Sequence, residues 1–341
     1  MVKALSFDDI SLIPRFNNIV SRQDVDTSVE LGNLVLDIPI LSSNMDTVTG
    51  PEMAFRLREL GGLGFLHRFC SIEDNLAMYD ETIAKMGDNP NLTAGQSDMV
   101  ISLGVNEKLD RFNALYEVGA RYFCIDVAHG HSKAVGHLIK QIKESRDNVY
   151  IVAGNVCTYA GAEYLAGCGA DAIKVGIGPG SVCSTRIKTG FGVPQFSAIR
   201  ECRRVNCFII ADGGIRTPGD AVKAFAAGAD AVMLGGMLAG TDETPGEIIS
   251  EHKVFRGMAS KEAAEDHFGH QADWKTAEGV EIKVRAKGPI KDVIGDLMGG
   301  IRSGMTYCGA NNLKQIRERA DWVEISAAGV AEGRPHGEGR L

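Results

Sequence analysis

No apolar run in the 341 residues reaches membrane-spanning length. The opening Met1-Val-Lys-Ala-Leu-Ser lacks the apolar core of a signal peptide. Membrane contact is therefore not expected, and a cytoplasmic location is. None of the eight cysteines stands in a C-x-x-C pair, and several lie inside apolar strand patterns, so reduced thiols are the natural reading. Basic residues are outnumbered, 36 Lys and Arg against 44 Asp and Glu, for a net charge of −8. That balance argues against a nucleic-acid scaffold while permitting a local basic pocket for a phosphate. The nucleotide-binding fingerprints are missing too. Lys188-Thr189 has no glycine before it, and Gly176-Ile-Gly-Pro-Gly180 is not G-x-G-x-x-G, so neither a P-loop nor a Rossmann site is claimed. Proline is ordinary at 10 residues, and no charge block or linker marks a second domain.

Glycine is plentiful instead, 41 residues within a chain that is 44% hydrophobic. That combination suits many tight strand–helix turns around a large core. Short β-rich apolar runs recur at Val35–Asn44, Gly61–His67, Met99–Gly104, Arg121–Ala128, Asn148–Asn155, Ala172–Gly178, Cys207–Gly213 and Ala231–Gly236. Helical patterns alternate with them at Pro51–Leu60, Ile72–Met86, Asn106–Val118, Ser132–Glu144, Tyr159–Ala166, Gln195–Arg204 and Pro218–Ala227. Pro51 and Pro218 fit a first helical turn, where a missing N–H is harmless. Gly119, Gly169 and Gly228 each end a helix just before a strand. Eight such units predict an α/β fold, a (β/α)8 TIM barrel; an open doubly wound sheet is the alternative. The reading is one barrel domain over 1–341, with an N-terminal extension over 1–34 and a flap and C-terminal segment over 241–341. Asp88–Ser97 is polar and breaker-rich, a surface loop with no inserted regulatory domain.

The most informative run is Lys174-Val-Gly-Ile-Gly-Pro-Gly-Ser-Val-Cys-Ser-Thr-Arg186. Glycines spaced by two expose backbone amides and permit positive φ. Cys183 in that setting reads as a covalent nucleophile; a buried structural cysteine is the competing account. Barrel active sites gather at the C-terminal ends of strands. There the chain supplies Ser42–Thr47, Asp126–His131, Gly154-Asn155, the cysteine loop, Asp212-Gly-Gly214 and Gly235-Gly236. The last two form a phosphate site of the barrel kind, with Asp212 placed to accept from a ribose diol. Together they describe a nucleoside monophosphate beside Cys183. His129 and His131 invite a metal-dependent hydrolase reading, but too few further ligands stand at other strand ends.

Phe7-Asp-Asp, Ser43-Asn-Met-Asp-Thr-Val48, Ala153-Gly-Asn-Val156, the cysteine loop, Ile210-Ala-Asp-Gly-Gly-Ile-Arg216, Met233-Leu-Gly-Gly236 and Gly299-Gly-Ile-Arg-Ser303 resemble the IMP dehydrogenase/GMP reductase family over nearly the whole chain. Lys188-Thr-Gly-Phe-Gly192, and a short flap without an Arg-Tyr pair, resemble the GMP reductase branch. Ala259, Trp274-Lys275 and the ending Ser326–Gly337 depart from it, and IMP dehydrogenase is the alternative. The resemblance implies NADPH-dependent reductive deamination of GMP to IMP through a Cys183 thioimidate, with Thr185 and Glu278 handling the ammonia proton. It implies GMP contacts from Asp212, Gly213, Gly214, Gly235, Gly236, Gly257, Met258, Ala259, Lys275 and Gly279. Cofactor contacts are implied for Asp126, Val127, Ala128, Ile177, Gly178, Met258 and Trp274, and for Ser21, Arg22, Arg68, Ser303, Gly304, Met305 and Thr306. Carbonyls of Gly178, Gly180, Cys183 and Arg186 resemble a monovalent-cation site for K+, and the family's assemblies imply a homotetramer. A non-catalytic nucleotide-binding barrel is a further alternative, which retention of Cys183, Thr185 and Glu278 opposes.

Overall fold

The structure, a computed structural model, describes residues 3–87, 99–107, 109–270, 274 and 276–335. Eight parallel strands close into a barrel: β1 (Ile40–Ser42), β2 (Leu63–Leu66), β3 (Val100–Leu103), β4 (Tyr122–Asp126), β5 (Tyr150–Val156), β6 (Ala172–Val175), β7 (Phe208–Asp212) and β8 (Ala231–Leu234). Closure is made by β8 against β1, with Val232 opposite Ile40. Helices α1 (Pro51–Glu59), α2 (Ile72–Gly87), α3 (Asp110–Glu117), α4 (Lys133–Ser145), α5 (Tyr159–Gly167), α6 (Thr185–Thr189), α7 (Gln195–Cys202) and α8 (Pro218–Ala227) follow the strands. The expected TIM barrel is therefore the observed fold. Pro51 and Pro218 occupy the first helical turns, and Gly119, Gly169 and Gly228 lie at positive φ just past their helices.

Side chains alternate across each strand, so one set fills the barrel and the other meets the helices. Leu41, Leu63, Phe65, Val100, Cys124, Val152, Ile210 and Met233 form the interior cluster. The far end of the barrel from the site is stoppered by an antiparallel hairpin, Val29–Leu31 with Leu34–Leu36, whose Leu31, Leu34 and Leu36 are buried in that same cluster. Here the structure corrects the sequence reading. The run Val35–Asn44 is two strands, not one, because Asp37-Ile-Pro39 interrupts it; proline has no N–H to donate to a ladder, and only its carbonyl is used, by Val232 N.

Beyond β8 the chain makes an antiparallel ribbon, His252–Arg256 with Glu281–Arg285, interrupted by α9 (Lys261–Phe268). Helix α10 (Ile290–Cys308) then packs on α8, in the outer layer, followed by α11 (Leu313–Arg319). A last strand, Asp321–Glu324, pairs with Ile10–Ile13, tying the two ends of the chain together, before α12 (Ala327–Glu332). The proposed loop at Asp88–Ser97 lies outside the described residues.

Candidate active site

β6 ends against β7 so closely that only glycine fits. A Cβ on Gly176 would lie 1.9 Å from the Asp212 carbonyl oxygen. The chain then runs through Gly178, at φ +89°, to a half-buried, free Cys183. The Cys183 thiol lies 3.2 Å from Thr185 Oγ1. The ribbon comes down onto this loop. Cys183 and Gly279 form an antiparallel bridge, Ser184 N donates to Glu278 O at 2.8 Å, and Val280 N donates to Val182 O at 3.0 Å. Glu278 is thus held next to Cys183 and Thr185 by backbone pairing, with its side chain half-buried. The approach again needs glycine: a Cβ on either Gly257 or Gly279 would stand 3.1 Å from the other's Cα.

Inside the barrel mouth Lys174, 3% exposed, places its ammonium 2.7 Å from Asp126 Oδ1 and 2.8 Å from Asp212 Oδ2. Burial opposes its charge, but the two carboxylates outweigh that and raise its pKa above the lysine range. Burial likewise opposes the charge on Asp126, and Lys174 holds that carboxyl below the ordinary range. Asn155 Nδ2 donates to Asp212 Oδ2 at 2.9 Å and to Gly176 O at 2.7 Å. The two acids expected to serve cofactor and ribose are therefore joined by a lysine whose role the sequence reading missed. Its signal was a charge inside an otherwise apolar strand.

After β8, Gly235 and Gly236 approach Ser43 and Ser181. A Cβ would lie 3.0 Å from Ser43 Oγ at the first glycine and 2.9 Å from Ser181 Oγ at the second. Ser43 Oγ is buried without a hydrogen-bond partner among the described residues. Lys287, also missed, donates to the carbonyls of Gly236 and Met237, each at 2.9 Å. Gly213 and Gly214, both at positive φ, border Pro179 of the cysteine loop. Beside the mouth, a cavity of about 690 Å³ is lined by Asp46, His67, Arg68, Phe69 and His267 among others. Arg68 reaches the Asp126 carbonyl at 3.4 Å.

The remaining candidates scatter. Val127 is half-buried, Ala128 exposed and Ile177 buried at the mouth. Met258 Sδ accepts from Asp46 N at 3.3 Å, and Ala259 is exposed beside it. Trp274 is 82% exposed, and Lys275 lies outside the described residues. Gly180 O accepts from Cys183 N, and Arg186 O from Gly190 N. Ser303, Gly304, Met305 and Thr306 sit on α10 in the outer layer. Ser21 caps the short helix Arg22–Asp24, which packs on α10. Within the Ser303–Thr306 run, Met305 is fully buried in the core. His129 and His131 have ring centroids 6.3 Å apart, and among the described residues no group of three or more His, Cys, Asp or Glu could hold a metal ion.

Residues 4–336 match the family described as IMP dehydrogenase / GMP reductase domain. The chain is 38% identical over 334 residues to GMP reductase of Escherichia coli (strain K12 / DH10B), with 94% of each chain covered. It is 31% identical to inosine-5'-monophosphate dehydrogenase of Nitrosopumilus maritimus (strain SCM1), with 98% of each covered over 467 aligned positions; that alignment exceeds this chain's length, so that relative carries inserted residues absent here. A crystal structure of a GMP reductase variant from Trypanosoma brucei in complex with guanosine 5'-monophosphate superposes with a TM-score of 0.92 at 30% identity, covering 99% of both chains. The chain belongs to the IMP dehydrogenase/GMP reductase family of oxidoreductases.

Proposed function

We propose that the protein is a GMP reductase, converting GMP, NADPH and protons to IMP, ammonia and NADP+. The observation that carries this is the Cys183–Thr185 contact of 3.2 Å with the Glu278–Gly279 segment bridged alongside it. The higher identity to the reductase relative than to the dehydrogenase supports the branch.

In this reading the Cys183 thiolate adds to purine C2, and the amino nitrogen leaves as ammonia after gaining a proton from the Thr185–Glu278 pair. The purine remains bound through a C–S thioimidate bond. NADPH, when bound, supplies the hydride that C2 receives. The C–S bond then breaks, and Cys183 recovers its electron pair. Splitting the displacement in two lowers each barrier, and the proton relay is worth about 10²–10⁴-fold.

The phosphate falls to the amides of Gly213, Gly214, Gly235 and Gly236, where the unpartnered Ser43 hydroxyl has a donor to give. Asp212 takes the ribose, and Gly257, Met258, Ala259, Lys275 and Gly279 close over the base. Asp126, Val127, Ala128, Ile177, Gly178, Arg68 and Trp274 hold the cofactor. Asn155 Oδ1 and Arg68 Nε, buried and unpartnered among the described residues, fit an amide such as that of nicotinamide. Carbonyls of Gly178, Gly180, Cys183 and Arg186 bind K+. The chain acts as one barrel domain in a homotetramer, in a reducing compartment such as the cytoplasm, where all eight cysteines stay free.

The test follows absorbance at the reduced-nicotinamide band in two cuvettes. GMP with NADPH should lose absorbance, while IMP with NAD+ should gain none. The opposite pattern makes the protein an IMP dehydrogenase.

A further inference from the structure

The ribbon that delivers Glu278 lies outside the barrel, so something must hold it over the mouth. One side is held by the nucleophile loop itself, through Ser184 N to Glu278 O. Lys253 and Lys287 hold the ribbon near β8, through the carbonyls of Thr241, Thr244, Gly236 and Met237, and at the loop after β1 it is held at one carboxylate. Asp46, in the loop after β1, is nearly buried, its side chain 8% exposed. It takes Arg256 Nη2 at 2.6 Å and Nε at 3.1 Å on Oδ2, and His267 Nε2 at 2.8 Å on the same oxygen. Arg256 ends the first ribbon strand, and His267 lies on α9. Backbone contacts reinforce the junction: Arg256 N donates to Thr47 Oγ1 at 3.2 Å, and Asp46 N donates to Met258 Sδ at 3.3 Å.

From this junction a short path leads to the reacting groups. Gly257, next to Arg256, donates its N–H to Val280 O at 3.1 Å, and Ala259 O accepts from Glu278 N at 3.0 Å. Glu278 is therefore suspended between Ala259 on the Asp46 side and Ser184 on the Cys183 side. We propose that Asp46 is a positioning residue: by anchoring Arg256 and His267 it sets where Glu278 stands relative to Cys183 and Thr185. This rests on the role given to Glu278 above.

The physical reason is charge burial. The Arg256 guanidinium is 11% exposed and is also met by Asp266 at 2.5 Å and Glu281 at 3.5 Å. A buried charge stripped of its main partner reorients to find another. Asp266 and Glu281 both lie on the ribbon segment, so a freed Arg256 would follow that segment and cease to tie it to the barrel. A displacement of about 1 Å at a reacting group can cost about 100-fold in rate.

The experiment compares Asp46→Asn, Glu278→Gln and the double variant, using kcat per Cys183 titrated by alkylation and GMP affinity by calorimetry. For Asp46→Asn we expect kcat to fall about 100-fold while GMP affinity changes less, since only the base contacts ride on the ribbon and the phosphate and ribose contacts belong to β7 and β8. The double variant should be hardly slower than Glu278→Gln alone, because the anchor acts through that carboxylate. A general loss of stability would lower the active fraction and leave kcat per active site unchanged. Wild-type kcat in Asp46→Asn beside a slow Glu278→Gln, or losses that multiply in the double variant, overturns the proposal alone. A wild-type rate in Glu278→Gln removes the catalytic role of Glu278 and the proposal with it. Should Asp46→Asn fail to fold, His267→Gln keeps the Arg256 contact and should show a smaller kcat loss with the same non-additivity; multiplying losses there overturn the proposal equally.

Discussion

At the scale of single residues, the proposed chemistry turns on Cys183, and burial makes His67 the residue from which an acid-stability trend is expected. Cys183 is half-buried and reachable, so Cys183→Ala should abolish turnover while calorimetry still finds GMP bound. Retained turnover would remove the cysteine from the mechanism. His67 shows how burial sets a pH dependence. It is 8% exposed, its Nδ1 has no hydrogen-bond partner among the described residues, and burial pushes its pKa down to about 4 against the pull of Asp46. An unfolded histidine titrates near ~6.5. Between those values the unfolded chain binds the extra proton, so stability rises with pH across that window and falls on acidification. The full difference corresponds to about 3 kcal/mol. Melting curves at steps from pH 7 to pH 4 should therefore decline more gently for His67→Gln than for the wild type. Identical slopes would assign the acid sensitivity to other groups. Asp46 adds to the same trend at lower pH. Burial opposes its charge, but Arg256 and His267 outweigh that and hold its carboxyl below the usual range, so its stabilisation is lost as pH falls through that depressed value.

Between elements, the buried ammonium of Lys174 joins β4, β6 and β7. Replacing it by methionine leaves Asp126 and Asp212 facing each other at the barrel mouth without their shared counter-charge. Removing one partner of a buried pair typically costs about 3–5 kcal/mol, so Lys174→Met should lower Tm by several degrees and Lys174→Arg by less. Equal melting temperatures for wild type and Lys174→Met would show that water or another cation replaces the lysine. Legibility in the sequence also divides at this scale. Barrel strands are buried on both faces and read as continuous apolar runs, and a glycine follows several helices, so all eight strands were visible from residue types alone. The cysteine loop was legible because its glycines crowd into so few residues. Leu34–Leu36 was absorbed into β1, since both pieces are apolar and only Pro39 parts them. The Asp46–Arg256 pairing left no trace, because it joins residues 210 positions apart that share no periodicity. Lys174 did leave one, as the single charge in Ala172–Val175.

For the molecule as a whole, several large apolar side chains stand exposed. Phe16 is 84% exposed, Val20 97% and Trp274 82%, side chains that the proposed assembly would cover. Phe16 lies against the end of α10, where its carbonyl meets Arg319 at 3.5 Å and the neighbouring Arg15 N donates to Tyr307 O at 2.8 Å. The same neighbourhood carries Ser21, Arg22 and Ser303–Thr306, on the short helix and on α10 in the outer layer. In the proposed tetramer, a second copy would bring its barrel mouth to those cofactor candidates. The tetramer proposed above therefore predicts more than a mass. Light scattering on the wild type should give about four times the 36.5 kDa of one chain. Phe16→Asp with Val20→Asp alters side chains that are exposed within one chain, so each barrel should still fold and Cys183 should still be alkylated. The variant should run as a smaller species, and KM for NADPH should rise while GMP affinity holds. A variant that stays tetrameric would move the interface elsewhere, and a smaller species with unchanged KM for NADPH would show that each barrel completes its own cofactor site.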